Sequence, residues 1–188
     1  MRGEGMTEIR LIKKAKKGNK HALLQLVMAE RDAYYKLAFT YLGNSHDAMD
    51  ALEEMIVTLY EKISQLKNET SFYSWSKTIL ANHCKHVIRK RKKLMLLEDL
   101  ATVQAEMGNP SSEINPYQNI EQNLDIQQAL LRLNADQRET IELKYFHDLD
   151  NQTIARITKV PIGTVKSRIF SSLNKLKEYY GSDIHGSN

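Results

Sequence analysis

The chain has 188 residues, 27 Lys and Arg against 23 Asp and Glu, 41% hydrophobic residues and a formal net charge of +4. That composition excludes a collagen-like, mucin-like or wholly disordered chain, and the length suits one domain or two small ones. Nothing approaches the roughly 18 unbroken apolar residues of a membrane span. The Lys-rich start is not followed by a signal-peptide pattern, and the single cysteine, Cys84, cannot form an internal disulfide. The expected compartment is the cytoplasm.

In chain order the residues predict helices throughout. Leu23, Leu26 and Val27, extended by Tyr34, Leu37 and Ala38, give a first apolar stripe at helical spacing. Leu52, Ile56, Leu59 and Ile63 give a second, opened by Asn44-Ser45 as the N-cap. Trp75, Ile79, Asn82 and His86 repeat on a third helix that runs into a basic cluster. Further on, Asn134 and Gln137 form a capping box for the helix of Ile141, Leu143 and Tyr145. Asp150 caps a short helix with Ile154 and Ile157; after Lys159-Val160-Pro161 a last helix carries Val165, Ile169, Leu173 and Leu176. All three prolines follow residue 109 and no period-2 strand is evident, so the fold class is all-α.

Charge divides the chain. Residues 1–96 hold 18 basic and 10 acidic side chains, and residues 97–131 hold six acids with no Lys or Arg. Residues 132–188 hold nine basic and seven acidic. The acidic middle also gathers Gly108, Asn109, Pro110, Ser111, Ser112 and Pro116, which are turn and breaker residues. The expected plan is two small helical domains, 1–96 and 123–188, joined by a flexible acidic linker at 97–122.

Three local patterns carry chemistry. The first, about 150–172, has the spacing of a helix-turn-helix, with Ala155 small where the second helix must pack closely. Val165 and Ile169 are expected to face the core. Thr164, Lys166, Ser167, Arg168 and Ser171 would then point outward as donors for base edges and cations for phosphates. Lys159 stands at the turn position where glycine is usual; a left-handed non-glycine residue there costs on the order of 1 kcal/mol. An ordinary helical hairpin with a solvated face is the plain alternative. The second pattern is Lys85, Arg89, Lys90, Arg91, Lys92 and Lys93, six cations without an acid. Such a run draws polyanions by counterion release, although it can equally be a solvated helix end. Phe72, Tyr73 and Trp75 lie just upstream, the aromatic company that unpaired bases stack on, with Trp75 read mainly as core. The third is acidic: Asp47, Asp50, Glu53 and Glu54 on a helix read as lacking His or Cys, a docking surface rather than a catalytic centre. His83, Cys84 and His86 are too closely spaced on one helix to share a metal ion. No metal or cofactor is expected.

Asp47-Ala48-Met49-Asp50-Ala51-Leu52-Glu53-Glu54, then Phe72-Tyr73-Ser74-Trp75, Asn82 and Arg89-Lys90-Arg91, resembles the first conserved domain of bacterial RNA polymerase sigma factors of the extracytoplasmic-function (ECF) group, in the sigma-70 family. Leu133 to Glu139 and Gly163 to Arg168 resemble their C-terminal promoter-reading domain. The resemblance implies an alternative sigma factor, not an enzyme, without a small-molecule substrate. It places Asp47, Asp50, Glu53 and Glu54 on the coiled coil of the polymerase largest subunit. Trp75, Asn82, Lys85, His86, Arg89, Lys90 and Arg91 would meet the −10 element and the melted strand. Ile162, Thr164, Lys166, Ser167, Arg168 and Ser171 would meet the −35 element. The rest of the second domain would sit on the flap of the second-largest subunit, and an anti-sigma protein is a further expected partner. The acidic linker suits a basic polymerase channel. The chain departs from the pattern at Glu53, usually glutamine, and at His86, often aspartate. A free-standing helix-turn-helix regulator, binding its operator without polymerase, is the rival. An enzyme acting on nucleic acid finds no nucleophile–base pair or phosphate loop to support it.

Overall fold

The structure, a computed structural model, describes residues 2–101 and 122–183. These form helices and turns with no strand among them, and none of their helices is long and apolar enough to cross a membrane. The chain divides into two compact units, Met1–Glu113 and Ile114–Asn188.

The first unit contains α1 (Arg2–Lys16), α2 (Lys20–Ala29), α3 (Arg31–Leu42), α4 (Ser45–Lys62) and α5 (Phe72–Ala101). Two 3-10 turns, Ile63–Gln65 and Glu69–Ser71, connect the last two helices. The apolar stripes converge on one core in which Ile12, Leu26, Tyr34, Leu37, Met55, Leu59, Phe72 and Leu80 are fully buried. Each such aliphatic side chain contributes about 1.5–3 kcal/mol through burial. The Tyr34 hydroxyl is satisfied inside this core by Ser76 Oγ at 2.7 Å, as a buried polar group requires. Burial pushes the Tyr34 phenol well above its ordinary range.

The first stripe is broken where the sequence suggests continuity. α2 ends and α3 begins at Glu30, whose φ of −115° and ψ of 17° are not helical. No Pro or Gly marks the break; Lys77 of α5 meets the Glu30 carboxylate at 3.3 Å, a tertiary tie that local pattern cannot reveal. α4 begins as expected, with the Asn44 side chain accepting from the Asp47 amide at 2.9 Å. α5 continues to Ala101, five residues into the segment read as linker. Leu94 to Ala101 contains good helix formers and no Gly or Pro. Residues 102–121, most of that segment, lie outside the described residues.

The second unit contains α6 (Gln122–Leu131), α7 (Ala135–Ile141), α8 (Asn151–Thr158) and α9 (Ile162–Asp183). The capping box at Asn134 and Gln137 is present on both sides. The helix it opens does not continue regularly through Leu143 and Tyr145: a π-helical turn over Glu142–Phe146 follows α7. That extra residue per turn leaves Tyr145 and Phe146 exposed while Leu143 stays buried. Asp150 caps α8 by accepting from the Gln152 and Thr153 amides, each at 2.9 Å. Lys159 is left-handed at φ 58° and ψ 38°, closing α8 through its N–H to the Ala155 carbonyl.

Candidate nucleic-acid interface

α8, the Lys159–Pro161 break and α9 make the helix-turn-helix of the second unit. Ile154, Ile157 and Val165 are fully buried between the helices, so the start of α9 is seated on α8. Its outward stripe is Lys166, Ser167, Phe170 and Asn174, all exposed at helical spacing. Ile162 is exposed beside them and Thr164 is half-buried. Phe170 was not singled out by sequence reasoning, yet 69% of it is accessible, the most among the large hydrophobic side chains of the described residues. The signal was available: an aromatic residue on the polar side of an amphipathic helix wastes burial unless something covers it.

Two residues expected to point outward turn inward instead. Arg168 donates from Nη2 to the Asp136 carboxylate at the start of α7, and its side chain is only 20% exposed. The Ser171 hydroxyl accepts from Gln137 Nε2 at 3.1 Å and donates to the Arg168 carbonyl at 3.1 Å. Gln137 also accepts from Lys175 Nζ at 3.0 Å. The capping residue of α7 is thereby a polar junction that fixes α9, and Arg168 and Ser171 belong to it. Leu173, expected in the core, is 41% exposed. It helps line an apolar groove of about 190 Å³ with Ile126, Leu130, Ile141, Tyr145 and Tyr180.

In the first unit α5 carries the aromatic–basic pattern. Trp75, Ile79, Asn82, His86, Arg89 and Lys93 recur every three or four residues and share one face. Along it exposure rises from half-buried Trp75, Ile79 and Asn82 to exposed His86, Arg89 and Lys93, with Lys90 exposed beside them. Phe72 is core, packed edge-on against Tyr73 at 5.2 Å between centroids. Trp75, read mainly as core, is half-buried and not among the fully buried residues. Lys85 leans over the Tyr41 ring at 6.0 Å. Arg91 falls on the opposite side, in register with Leu80, Cys84 and Val87. There its Nη2 meets Asp47 Oδ1 of α4 at 2.5 Å. Cys84 is fully buried, and burial pushes its thiol up to about 12, far from a reactive thiolate.

The acidic helix is equally divided. Asp50, Glu53 and Glu54 are exposed. Asp47 has a side chain 18% exposed, with one oxygen on Arg91 and the other accepting from Asn44 Nδ2. The Arg91 guanidinium, then the Asn44 amide, holds this carboxyl below its ordinary range against the opposing effect of burial. α4 does contain a histidine, contrary to the sequence reading: His46 Nδ1 lies 3.1 Å from Asp50. The ligand atoms of His46, Asp47 and Asp50 lie within 4.8 Å of one another, but both Asp47 oxygens are already engaged. The pairing is that of a histidine with a carboxylate one turn along the same helix.

Two family models match the chain: sigma-70 region 2 over residues 26–94 and sigma-70 region 4 over residues 123–176. An ECF RNA polymerase sigma factor of Bacillus subtilis, SigW, is 30% identical over 174 residues, covering 89% of this chain and 93% of the relative. Two solved structures share the fold. CnrH, in complex with the cytosolic domain of CnrY, superposes with a TM-score of 0.63 at 20% identity, over 94% of this chain and 98% of that one. The sigma factor RpoE of Bartonella quintana, in complex with the anti-sigma factor NepR, gives 0.61 at 24% identity, over 85% and 96%. With both conserved regions present in order, one on each helical unit, the chain belongs to the ECF group of sigma-70 family sigma factors, which direct promoter-specific transcription initiation.

Proposed function

We propose that the two units divide this work, the first docking on core polymerase and holding the melted −10 strand, the second reading the −35 duplex. The observation that carries the reading is the outward stripe of α9, seated by α8 and free of the junction that fixes its other side. Lys166 anchors a phosphate, Ser167 reaches a base edge, and Phe170 supplies the apolar contact that a thymine methyl accepts. Ile162 and Thr164 flank them. On α5, bases leaving the stack are received beside Trp75 and Asn82, while His86, Arg89 and Lys90 follow the backbone. Capturing such bases offsets the few kcal/mol of unstacking and favours the open bubble.

Asp50, Glu53 and Glu54 form the charged surface for the coiled coil of the polymerase largest subunit. The apolar groove beside Leu173 and Tyr180 takes the flap of the second-largest subunit. The protein lends recognition to a polymerase that holds the active site and is itself not a catalyst; it works in the cytoplasm. The solved relatives bound to CnrY and NepR support an anti-sigma protein as a further partner. Run-off transcription with purified core, on DNA from upstream of the protein's own gene, tests the reading. Transcript that needs both protein and core is expected. Tight operator binding by the protein alone, without transcript, would instead establish the free-standing regulator.

A further inference from the structure

The basic end of α5 projects past the core of the first unit: Arg89 to Met95 are all exposed, whereas Leu80, Ala81 and Cys84 one or two turns earlier are buried. Beyond Val87 and Ile88, apolar packing no longer holds the helix. On the side that would otherwise face the core stands Arg91, and the Asp47 carboxylate meets it there at 2.5 Å. Asp47 is fixed in turn. Its amide donates to Asn44 Oδ1 at 2.9 Å and its second oxygen accepts from the Asn44 amide group. The carboxylate is thus held rigidly in the first turn of α4, the helix that also presents Asp50, Glu53 and Glu54. Both Asp47 oxygens are engaged within the unit and its side chain is only 18% exposed, and Arg91 points away from the face shared by Asn82, His86, Arg89 and Lys93.

We propose that Asp47 and Arg91 are positioning residues for promoter opening, a brace between the docking helix and the strand-binding helix, and touch neither polymerase nor DNA. The brace sets the direction of the exposed basic segment so that Arg89, Lys90 and Lys93 meet the non-template strand. This rests on the division of labour proposed above, and it reassigns one residue of each surface. Because Arg91 is half exposed, loss of the pair should be felt as a modest factor, up to about fivefold, not as loss of the fold.

The test uses the full chain with core polymerase on a promoter that wild-type protein transcribes. Core affinity is measured by competition, and opening by permanganate reactivity of the bubble across a salt series. Asp47→Asn and Arg91→Met should each reduce the open fraction up to about fivefold, with core affinity unchanged. The double variant should be no worse than either single one. Arg91→Lys, which can still meet the carboxylate, should restore opening. The dependence of binding on salt should keep its slope, since no phosphate contact is lost. Weaker core binding by Asp47→Asn, with normal opening once bound, would overturn the proposal and return Asp47 to the docking surface. A salt slope shallower by about 0.7 in Arg91→Met alone would overturn it in favour of a direct phosphate contact. Absence of any core-dependent transcript from the wild-type chain would instead refute the sigma-factor reading itself.

Discussion

Lys166 and Arg168 stand two residues apart in α9, and replacing each by alanine should have opposite consequences. Arg168 is four-fifths covered and paired with Asp136, which is itself 64% exposed. Such a pair, with the packing of the arginine stem, stabilises by about 1 kcal/mol. Removing it should lower the unfolding midpoint of the second unit by about 4–8 °C, the shift that 1 kcal/mol produces in a domain of 60–100 residues. Lys166 is exposed on the outward stripe, so its loss should change stability by less than about 0.5 kcal/mol. It should, however, remove one phosphate contact and make the salt dependence of duplex binding shallower by about 0.9. Thermal unfolding of the full chain, followed by promoter binding of the reconstituted polymerase from low to high salt, separates the two. If Arg168→Ala melts like wild type and loses discrimination at one base pair by about 1–3 kcal/mol, Arg168 reads DNA and the junction with Asp136 is incidental. Equal destabilisation by Lys166→Ala would refute the orientation of the helix.

Three further outcomes are expected. Phe170→Ala should leave the unfolding midpoint nearly unchanged and reduce transcription from −35-dependent promoters, because the residue is 69% exposed; run-off assays with matched thermal melts check both halves. Asp150 is raised by burial but lowered further by the Thr153 hydroxyl and the amides of Thr153 and Gln152, leaving its carboxyl below the ordinary value. Its contribution is therefore complete above the unfolded value near 3.9 and lost as pH falls through the lower folded one. Asp150→Ala should cost about 1 kcal/mol at neutral pH. In Asp150→Asn, which still caps, stability should fall less steeply in acid, as urea titrations at a series of pH values would reveal. Lys159→Gly should be nearly neutral, since relief of the left-handed strain is offset by a freer unfolded chain. Lys159→Val, by contrast, should destabilise clearly because a β-branched residue cannot adopt φ 58° comfortably.

Much of this was legible because the informative residues act locally. Asn44, Asn134 and Asp150 cap helices through bonds to amides two or three residues away, and the stripes of α4 and α9 need only helical spacing. What sequence missed was set by partners distant in the chain. Glu30 breaks a helix where Lys77 meets it, and Arg168 turns inward because Asp136 lies across from it, 32 residues earlier. The π-helical turn at Glu142–Phe146 is of the same kind: it keeps Leu143 in the core at the expense of exposing two aromatic rings, a trade no local pattern announces. Composition placed the change of character between the units at the acidic segment, but it could not show that α5 runs on to Ala101.

Two of the three arginines assigned to DNA by sequence, Arg91 and Arg168, share a role that their charge conceals. Each is paired with an aspartate in the first turn of a neighbouring helix, Asp47 of α4 or Asp136 of α7. An aspartate there is favourable in its own right, since the N-terminal end of a helix carries partial positive charge. It is also the most rigid place to hold a carboxylate, because the cap fixes the backbone around it. A long cationic side chain from the recognition helix can therefore be anchored without apolar surface, which a helix that must stay exposed to DNA cannot spare. The cost is that these charges are neutralised. In the reading proposed above, attraction for phosphate then rests on exposed cations such as Arg89, Lys90, Lys92 and Lys93 on α5 and Lys166 on α9. A basic cluster counted from sequence thus overstates the electrostatic footprint, and it hides which cations are tied to a neighbouring carboxylate and which are not.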